Sequence, residues 1–345
     1  MIVKNEAHVI RRCLRSVRPF IDSYSISDTG STDNTMEIIR EELAGLPGVL
    51  KSDSWRGFGP SRNVARSRTT GDYILSIDAD EVLEHLGGPS RLSPEYDFFM
   101  LKQVHADMIF WITRITRNDP RWEWKDKVHN YLEFHGESKG THLENLQIRP
   151  YFDSHQNISG NKFLGHLAHY ESAPITPRNV FYHAQTLAAL NRNDEAIEKY
   201  LHRAAMGGWQ EEIYYSMWKA GELMQLSGRP VEEVTRMLWK AYTYRPSRYE
   251  ALVHLCEIHS RNRNWDECYR ISLVQPEPSS DILFIDPRAE WRVLEEHALA
   301  AYYLGKIAEA RQFFQRVARY NLSPVDRERT EKNLSFCDTR EMAHA

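Results

Sequence analysis

The sequence predicts an α/β domain followed by an all-α domain of repeated helix pairs. Three observations carry this. Strand and helix signals alternate over the first part of the chain, a helical period takes over after Pro174, and small residues recur at a fixed spacing inside that helical part. The expected division is residues 1–173 and 174–345. A chain of 345 residues exceeds the usual size of one domain, and either part is long enough to bury its own core.

The elements follow in order. Met1-Ile2-Val3 reads as a short buried strand, and Ile10, Cys13, Leu14 and Val17 fall on one face of a helix. Asn5 is placed to cap that helix, with Glu6 in its first turn. Tyr24 to Ser27 is a second strand, Asp28 to Asp33 a turn, and Met36, Ile39 and Leu43 mark the next helix. Val49–Lys51 is a third strand, Pro60–Arg68 a helix and Tyr73–Ile77 a fourth strand. Such alternation implies a Rossmann-like sheet covered by helices, mainly parallel in this part and mixed in the whole domain, with ligands beyond the carboxyl ends of its strands. From about Ser90 to Asp153 apolar runs alternate with charged turns, which reads as extra antiparallel strands of the same domain.

In the helical part Ala184 and Ala196, Cys256 and Cys268, and Ala298 and Ala310 are each twelve residues apart, and Tyr200 and Phe314 lie four beyond the second small residue. A further unit ends Ala241…Pro246. Small residues where paired helices cross, an aromatic one turn later and a closing proline resemble the tetratricopeptide pattern. The spacing between units is irregular, and an unrelated helical bundle is the alternative.

Composition narrows the function classes. Hydrophobic residues make up 41% and charged residues 27%, the profile of an ordinary globular protein. The net charge of −4 is not the strongly basic balance of a nucleic-acid binder. No apolar run reaches the length of a membrane span, and no apolar signal region opens the chain. Cys13, Cys256, Cys268 and Cys337 form no CxxC pair, which fits free thiols in a reducing cytoplasm.

Asp78-Ala79-Asp80-Glu81 follows the apolar strand Tyr73–Ile77. Two carboxylates one residue apart, where pleating ends, can reach a divalent cation and the ribose beside it. Magnesium and manganese favour one or two carboxylates together with phosphate oxygens. A lone DxD is weak, because acidic turns after strands are common. Three more clusters accompany it: Val3-Lys4-Asn5-Glu6, Asp28-Thr29-Gly30-Ser31-Thr32-Asp33, in which Gly30 is free to take a positive φ, and Phe58-Gly59-Pro60-Ser61-Arg62-Asn63, with Arg62 as a bidentate phosphate donor. All four sit at strand ends or helix starts, and together they describe a nucleotide pocket.

Asn5-Glu6, Asp28-x-Gly-Ser-Thr-Asp33, Arg62-Asn63 and Asp78-x-Asp80 resemble, in order and spacing, the family 2 glycosyltransferases, which have a GT-A fold and invert the anomeric centre. With the tetratricopeptide-like tail, the chain is similar to the branch that fuses such a transferase to repeats, including enzymes that glycosylate peptides, among them S-linked bacteriocins. The resemblance implies transfer of a monosaccharide from a nucleoside-diphosphate sugar, expected to be UDP-linked, to a peptide, protein or glycan. Glu6 and Asp28 are then expected at the nucleobase or its ribose, with Val3, Asn5, Gly30 and Ala79 beside them. Asp78 is expected at the ribose, Asp80 at a manganese or magnesium ion, and Arg62 at the diphosphate. A homodimer through the repeats is a further expectation.

Trp122 to Asn130 is similar to the segment that ends in Val-His-Glu in relatives, but Asn130 replaces the glutamate here. An amide cannot act as a general base. Glu123, Asp126 or Asp153 could take that role, with Glu123 and Asp126 favoured for lying in the same segment; a thiol acceptor would need little help. His129 and His155 are candidate third metal ligands. Trp122 and Trp124 could stack on a sugar or fill the core. The rival reading is a repeat-built binding or scaffold protein whose transferase domain is inactive; nucleotidyl transfer is a second rival.

Overall fold

A computed structural model describes residues 1–88, 91–104, 108–155, 162–274, 276 and 285–342. It divides into two compact units, Met1–His169 and Tyr170–Ala345.

The first unit opens with β1 (Ile2–Val3), α1 (Ile10–Val17), β2 (Tyr24–Asp28), α2 (Thr35–Glu42) and β3 (Gly48–Ser52). The strands β1, β2 and β3 form a parallel three-stranded sheet in that order. Next come α3 (Phe58–Arg66) and the strands β4 (Tyr73–Leu75), β5 (Glu81–His85), β6 (Phe98–Val104), β7 (Ile109–Arg117), β8 (Trp122–Lys125), β9 (Tyr131–Phe134) and β10 (Gly140–Pro150). The fourth strand does not extend the parallel sheet. It pairs antiparallel with β7 in a five-stranded sheet of order β4-β7-β6-β10-β5, in which only β6 and β10 run parallel. The Rossmann-like mixed arrangement expected from the sequence is therefore present, divided between two sheets, with β4 joining the antiparallel strands and the long strand β10 returning to pair with both β5 and β6. The hairpin β8–β9 is separate.

The stripe predicted on α1 explains how the two sheets share one helix. Ile10 and Leu14 pack with Val3, Ile26 and Ile39, while Cys13 and Val17 pack with Leu83, Phe99, Leu101 and Ile148. Residues at i and i+4 lie on one face, so two adjacent ridges of one helix serve two cores.

The described helix α4 (Lys162–Ser172) precedes the helices of the second unit. These are α5 (Pro177–Ala189), α6 (Asn193–Ala205), α7 (Gln210–Leu226), α8 (Val231–Tyr244), α9 (Glu250–Arg261), α10 (Trp265–Ser272), α11 (Ala289–Tyr303), α12 (Ile307–Val317) and α13 (Pro324–Met342). Thr176 caps α5, its hydroxyl accepting from the Asn179 N–H at 3.2 Å with Pro177 at the first helical position. Successive helices pack as neighbours. Ala184, Ala196, Cys256, Cys268, Ala298 and Ala310 are all wholly buried, as small residues at close helix crossings must be. Tyr200 and Phe314 fill the space one turn on. All four cysteines are buried free thiols. Among the described residues no helix is long and apolar enough to cross a membrane.

Candidate active site

The loops after β1 and β2 interlock, and this accounts for most of the first two motifs. Asn5 has φ 56° and lies ahead of α1, so it does not cap that helix as expected. Its side-chain oxygen accepts from the Thr32 N–H at 2.8 Å, and its own N–H donates to Ser31 Oγ at 2.9 Å. The Asp33 carboxylate accepts from the Thr35 hydroxyl and from the N–H groups of Ala7 and Thr35, and Thr35 Oγ1 in turn accepts from the Glu6 N–H at 2.8 Å. Burial pushes the Asp33 carboxyl up, but these bonds outweigh it and hold it below the ordinary range. Glu6 also stands outside the helix; its carbonyl accepts from the N–H groups of Val9 and Ile10.

This scaffold presents Val3, Glu6 and Thr29 to a cavity of about 630 Å3. The other walls include Arg62 from α3, Asp78, Ala79 and Asp80 from the loop after β4, Gln103 and Arg114 from β6 and β7, and His129, Asn130, His155 and Lys162. Val3, Glu6, Arg62, Asp78, Ala79, Asp80, His129 and His155, eight of the residues expected to bind donor or metal, thus meet at one void. Asn5, Gly30 and Asp28 do not line it: Asn5 staples the loops, and Gly30 takes φ 105° at the turn. Asp28 is 2% exposed; its Oδ2 accepts from the N–H groups of Gly30 and Ser31, and its Oδ1 is buried without a partner beside cavity-lining Thr29.

Electrostatics divide the carboxyl groups. Arg62 donates to Asp78 Oδ1, and its guanidinium lies 5.0 Å from the Trp124 ring. Burial raises Asp78, but Arg62 and Arg114 prevail and hold it below the usual carboxylate range. Arg62, expected at a diphosphate, therefore holds Asp78 in place. Glu81 pairs with Arg114, which also donates to Gln103 at 2.7 Å. Among the described residues no guanidinium pairs with Glu6; burial pushes its carboxyl up to about 7, against an opposing N–H bond from His155. Asp80 is 9% exposed at the cavity wall.

The expected set of Asp80, His129 and His155 does not gather into a metal cluster. Among the described residues no three His, Cys, Asp or Glu side chains do so. His129 instead meets His166 edge to face, with ring centroids 5.1 Å apart. A single carboxylate in a polar cavity still fits a hard cation that takes its remaining oxygens from phosphate and water.

Glu123 and Asp126, the favoured bases, do not line the cavity. Side chains alternate along β8, so burying Trp122 and Trp124 turns Glu123 to the other face. There it pairs with Lys125 and His135, which hold its carboxyl low. Asp126 is exposed, with φ 65°, and its carbonyl accepts from the Gly59 N–H. Asp153 is bound by Arg12 through 2.7 and 3.0 Å bonds. Trp122 and Trp124 belong to the core.

Lys162, Gln103 and Arg114 are wall residues that the sequence reading missed. Arg114 left a signal, a charge inside the apolar strand β7; Lys162, at the start of a helix, left none.

Residues 1–154 match the model of glycosyl transferase family 2. The SPbeta prophage-derived glycosyltransferase SunS of Bacillus subtilis is 25% identical over 215 residues, covering 57% of this chain and 50% of that protein. An uncharacterized glycosyltransferase of Rickettsia bellii is 41% identical over 124 residues, 35% of this chain and 39% of that one. A TPR repeat-containing protein of Synechococcus elongatus is 45% identical over 83 residues, 24% of this chain and 20% of that one. The chain thus spans half or less of the length of these curated relatives. Among solved structures, a tetratricopeptide repeat protein of Parabacteroides merdae has a TM-score of 0.40 at 13% identity, over 54% of this chain and 72% of that one. It is this first part of the chain, residues 1–154, that is similar to glycosyl transferase family 2.

Proposed function

We propose that the chain transfers a monosaccharide from a nucleoside-diphosphate sugar, UDP-linked, to a peptide, protein or glycan acceptor in the cytoplasm, with inversion at the anomeric carbon. The observation that carries this is the joint exposure of Asp78, Asp80, Glu6 and Lys162 on one cavity inside a family 2 domain. Asp78, oriented by Arg62, is suited to a ribose hydroxyl.

Asp80 would hold manganese or magnesium together with the diphosphate; when bound, the cation supplies Lewis-acid stabilisation of leaving-group charge worth several kcal/mol. Lys162 would add a second positive charge on the same wall. In the transfer itself the acceptor heteroatom attacks the anomeric carbon from the face opposite the diphosphate. The bond to the diphosphate oxygen breaks, its electron pair leaves with the diphosphate, and the acceptor proton passes to a base. Glu6 is the wall carboxyl suited to take it, since a base works best with a pKa near the operating pH.

A second reading has its own observation. Asn130 lines the cavity where a glutamate would be expected to act, and Glu123 and Asp126 face elsewhere, which favours a domain that binds donor without transferring it. A panel of nucleotide sugars with manganese, assayed for slow hydrolysis, separates the readings. Release of UDP from one donor is expected. Release of a sugar 1-phosphate with UMP in place of UDP would indicate nucleotidyl transfer, and UDP binding with no product would indicate the inactive binder.

A further inference from the structure

A groove of about 650 Å3 adjoins the donor cavity and shares Trp55, Phe58, Lys162 and His166 with it. It is preformed. Gly57, at φ 102°, opens the turn into α3, and a Cβ on Gly59 would come within 2.7 Å of the Asp126 carbonyl, so the two loops touch through backbone. Asn63 clamps them, donating to the Trp124 carbonyl at 3.0 Å and accepting from the Trp124 N–H at 2.8 Å.

The lining has one sign of charge and one apolar platform. Trp55 is 50% exposed and meets Phe58 edge to face at 4.9 Å. Arg56 and Lys127 are exposed, and among the described residues no ion pair reaches either. Lys162 adds a third cation, while burial holds His166 down at about 4 and so neutral. No Asp, Glu, Asn or Gln occurs among the described lining residues. In a chain of net charge −4, this is a local reversal of the average field.

We propose that the groove holds the acceptor, and that the acceptor is an acidic peptide segment. Arg56 and Lys127 would hold its carboxylates, and Trp55 and Phe58 an apolar side chain, leaving the nucleophile at the mouth shared with the donor cavity. This rests on the donor reading above. A neutral glycan fits poorly, because sugar hydroxyls donate as well as accept and the groove offers no side-chain carboxylate or amide to receive them. A nucleic acid would call for a longer basic stripe than three cations around one platform.

The test uses the full chain on an array of fixed-length peptides graded from acidic to basic, beside neutral oligosaccharides and single-stranded oligonucleotides. Acidic peptides should be retained, binding should weaken with salt, and the double variant Arg56→Glu, Lys127→Glu should lose roughly tenfold or more. Both residues are exposed, so the fold should survive, and UDP affinity measured calorimetrically should be unchanged. Trp55→Ala should weaken the same peptides. Retention of oligosaccharides or oligonucleotides in their place, or equal peptide binding by the double variant, overturns the proposal. The UDP titration judges the donor reading separately: peptide binding lost in the variant upholds the groove even where UDP fails to bind.

Discussion

Both units bury charged groups, and they treat them differently. In the helical unit Arg248 is 2% exposed and bridges Glu211 and Glu250, Arg245 also reaches Glu211, and Arg203 pairs with Glu212. Even a serine–histidine–glutamate series occurs there: His297 meets Ser272 Oγ at 2.9 Å and Glu309 at 3.1 Å. Yet Ser272 and His297 are at most 1% exposed, and the Ser272 hydroxyl donates to the Tyr269 carbonyl, so the series is packing. Trp218 Nε1 and His254 Nδ1 in that unit also lack a hydrogen-bond partner, but in the first unit such atoms, Arg62 Nε and Asn130 Nδ2, belong to residues on a cavity wall, beside a Glu6 carboxyl that burial raises to about 7. Burial of charge alone does not mark a site. Hydrogen-bonding capacity left unused beside a void does.

The comparison can be broken at several points. The largest effect is expected from Arg248→Ala, which takes the guanidinium from buried Glu250 and leaves Glu211 with Arg245 alone, and should lower stability by about 3–5 kcal/mol in chemical denaturation. Donor binding by the protein that remains folded should not change. Asn63→Ala should cost about 2 kcal/mol by removing both bonds to Trp124, measured in the same way.

Glu6 gives a pH test of comparable or smaller size. Its folded carboxyl sits at about 7 against an ordinary 4.5, so the folded state binds more protons than the unfolded state between those values. Stability present at low pH is then lost as pH rises through about 7. Between pH ~5 and ~8 the wild type should lose on the order of 2 kcal/mol relative to Glu6→Gln. Parallel pH profiles of the two proteins would contradict the burial of that carboxyl. The smallest effect belongs to Glu123→Gln and Asp126→Asn, which should each leave turnover within about twofold, since their ion pairs and exposure lie outside the cavity. A large loss in either would return the base to that segment.

Local patterns were legible and long-range pairings were not. The stripe Ile10, Cys13, Leu14, Val17 gave α1, and the twelve-residue spacing of Ala184 and Ala196 gave a buried helix crossing. Both depend on a helical period that a short window contains. The extra antiparallel strands were legible between about Ser90 and Asp153, but the pairing of β10 with β5 and β6 depends on partners far away in sequence, so the strand order was not. Asn5 looked like a helix cap because its true partner, Thr32, is 27 residues away. Glu123 failed as a base for a local reason, the alternation of β8, which the two flanking tryptophans already hinted at. For the cavity itself, the motif positions Val3, Glu6, Arg62, Asp78 and Asp80 were readable, while Lys162 needed the fold.

The central claim is that Asp80 couples a divalent cation to a nucleoside diphosphate in this cavity. Calorimetric titration of UDP into the wild type and Asp80→Asn, each with and without manganese, tests it most directly. The account predicts that manganese tightens UDP binding to the wild type by roughly tenfold or more and that Asp80→Asn abolishes this gain while keeping the native circular dichroism spectrum. An equal manganese-dependent gain in both proteins, or none in the wild type, would contradict it.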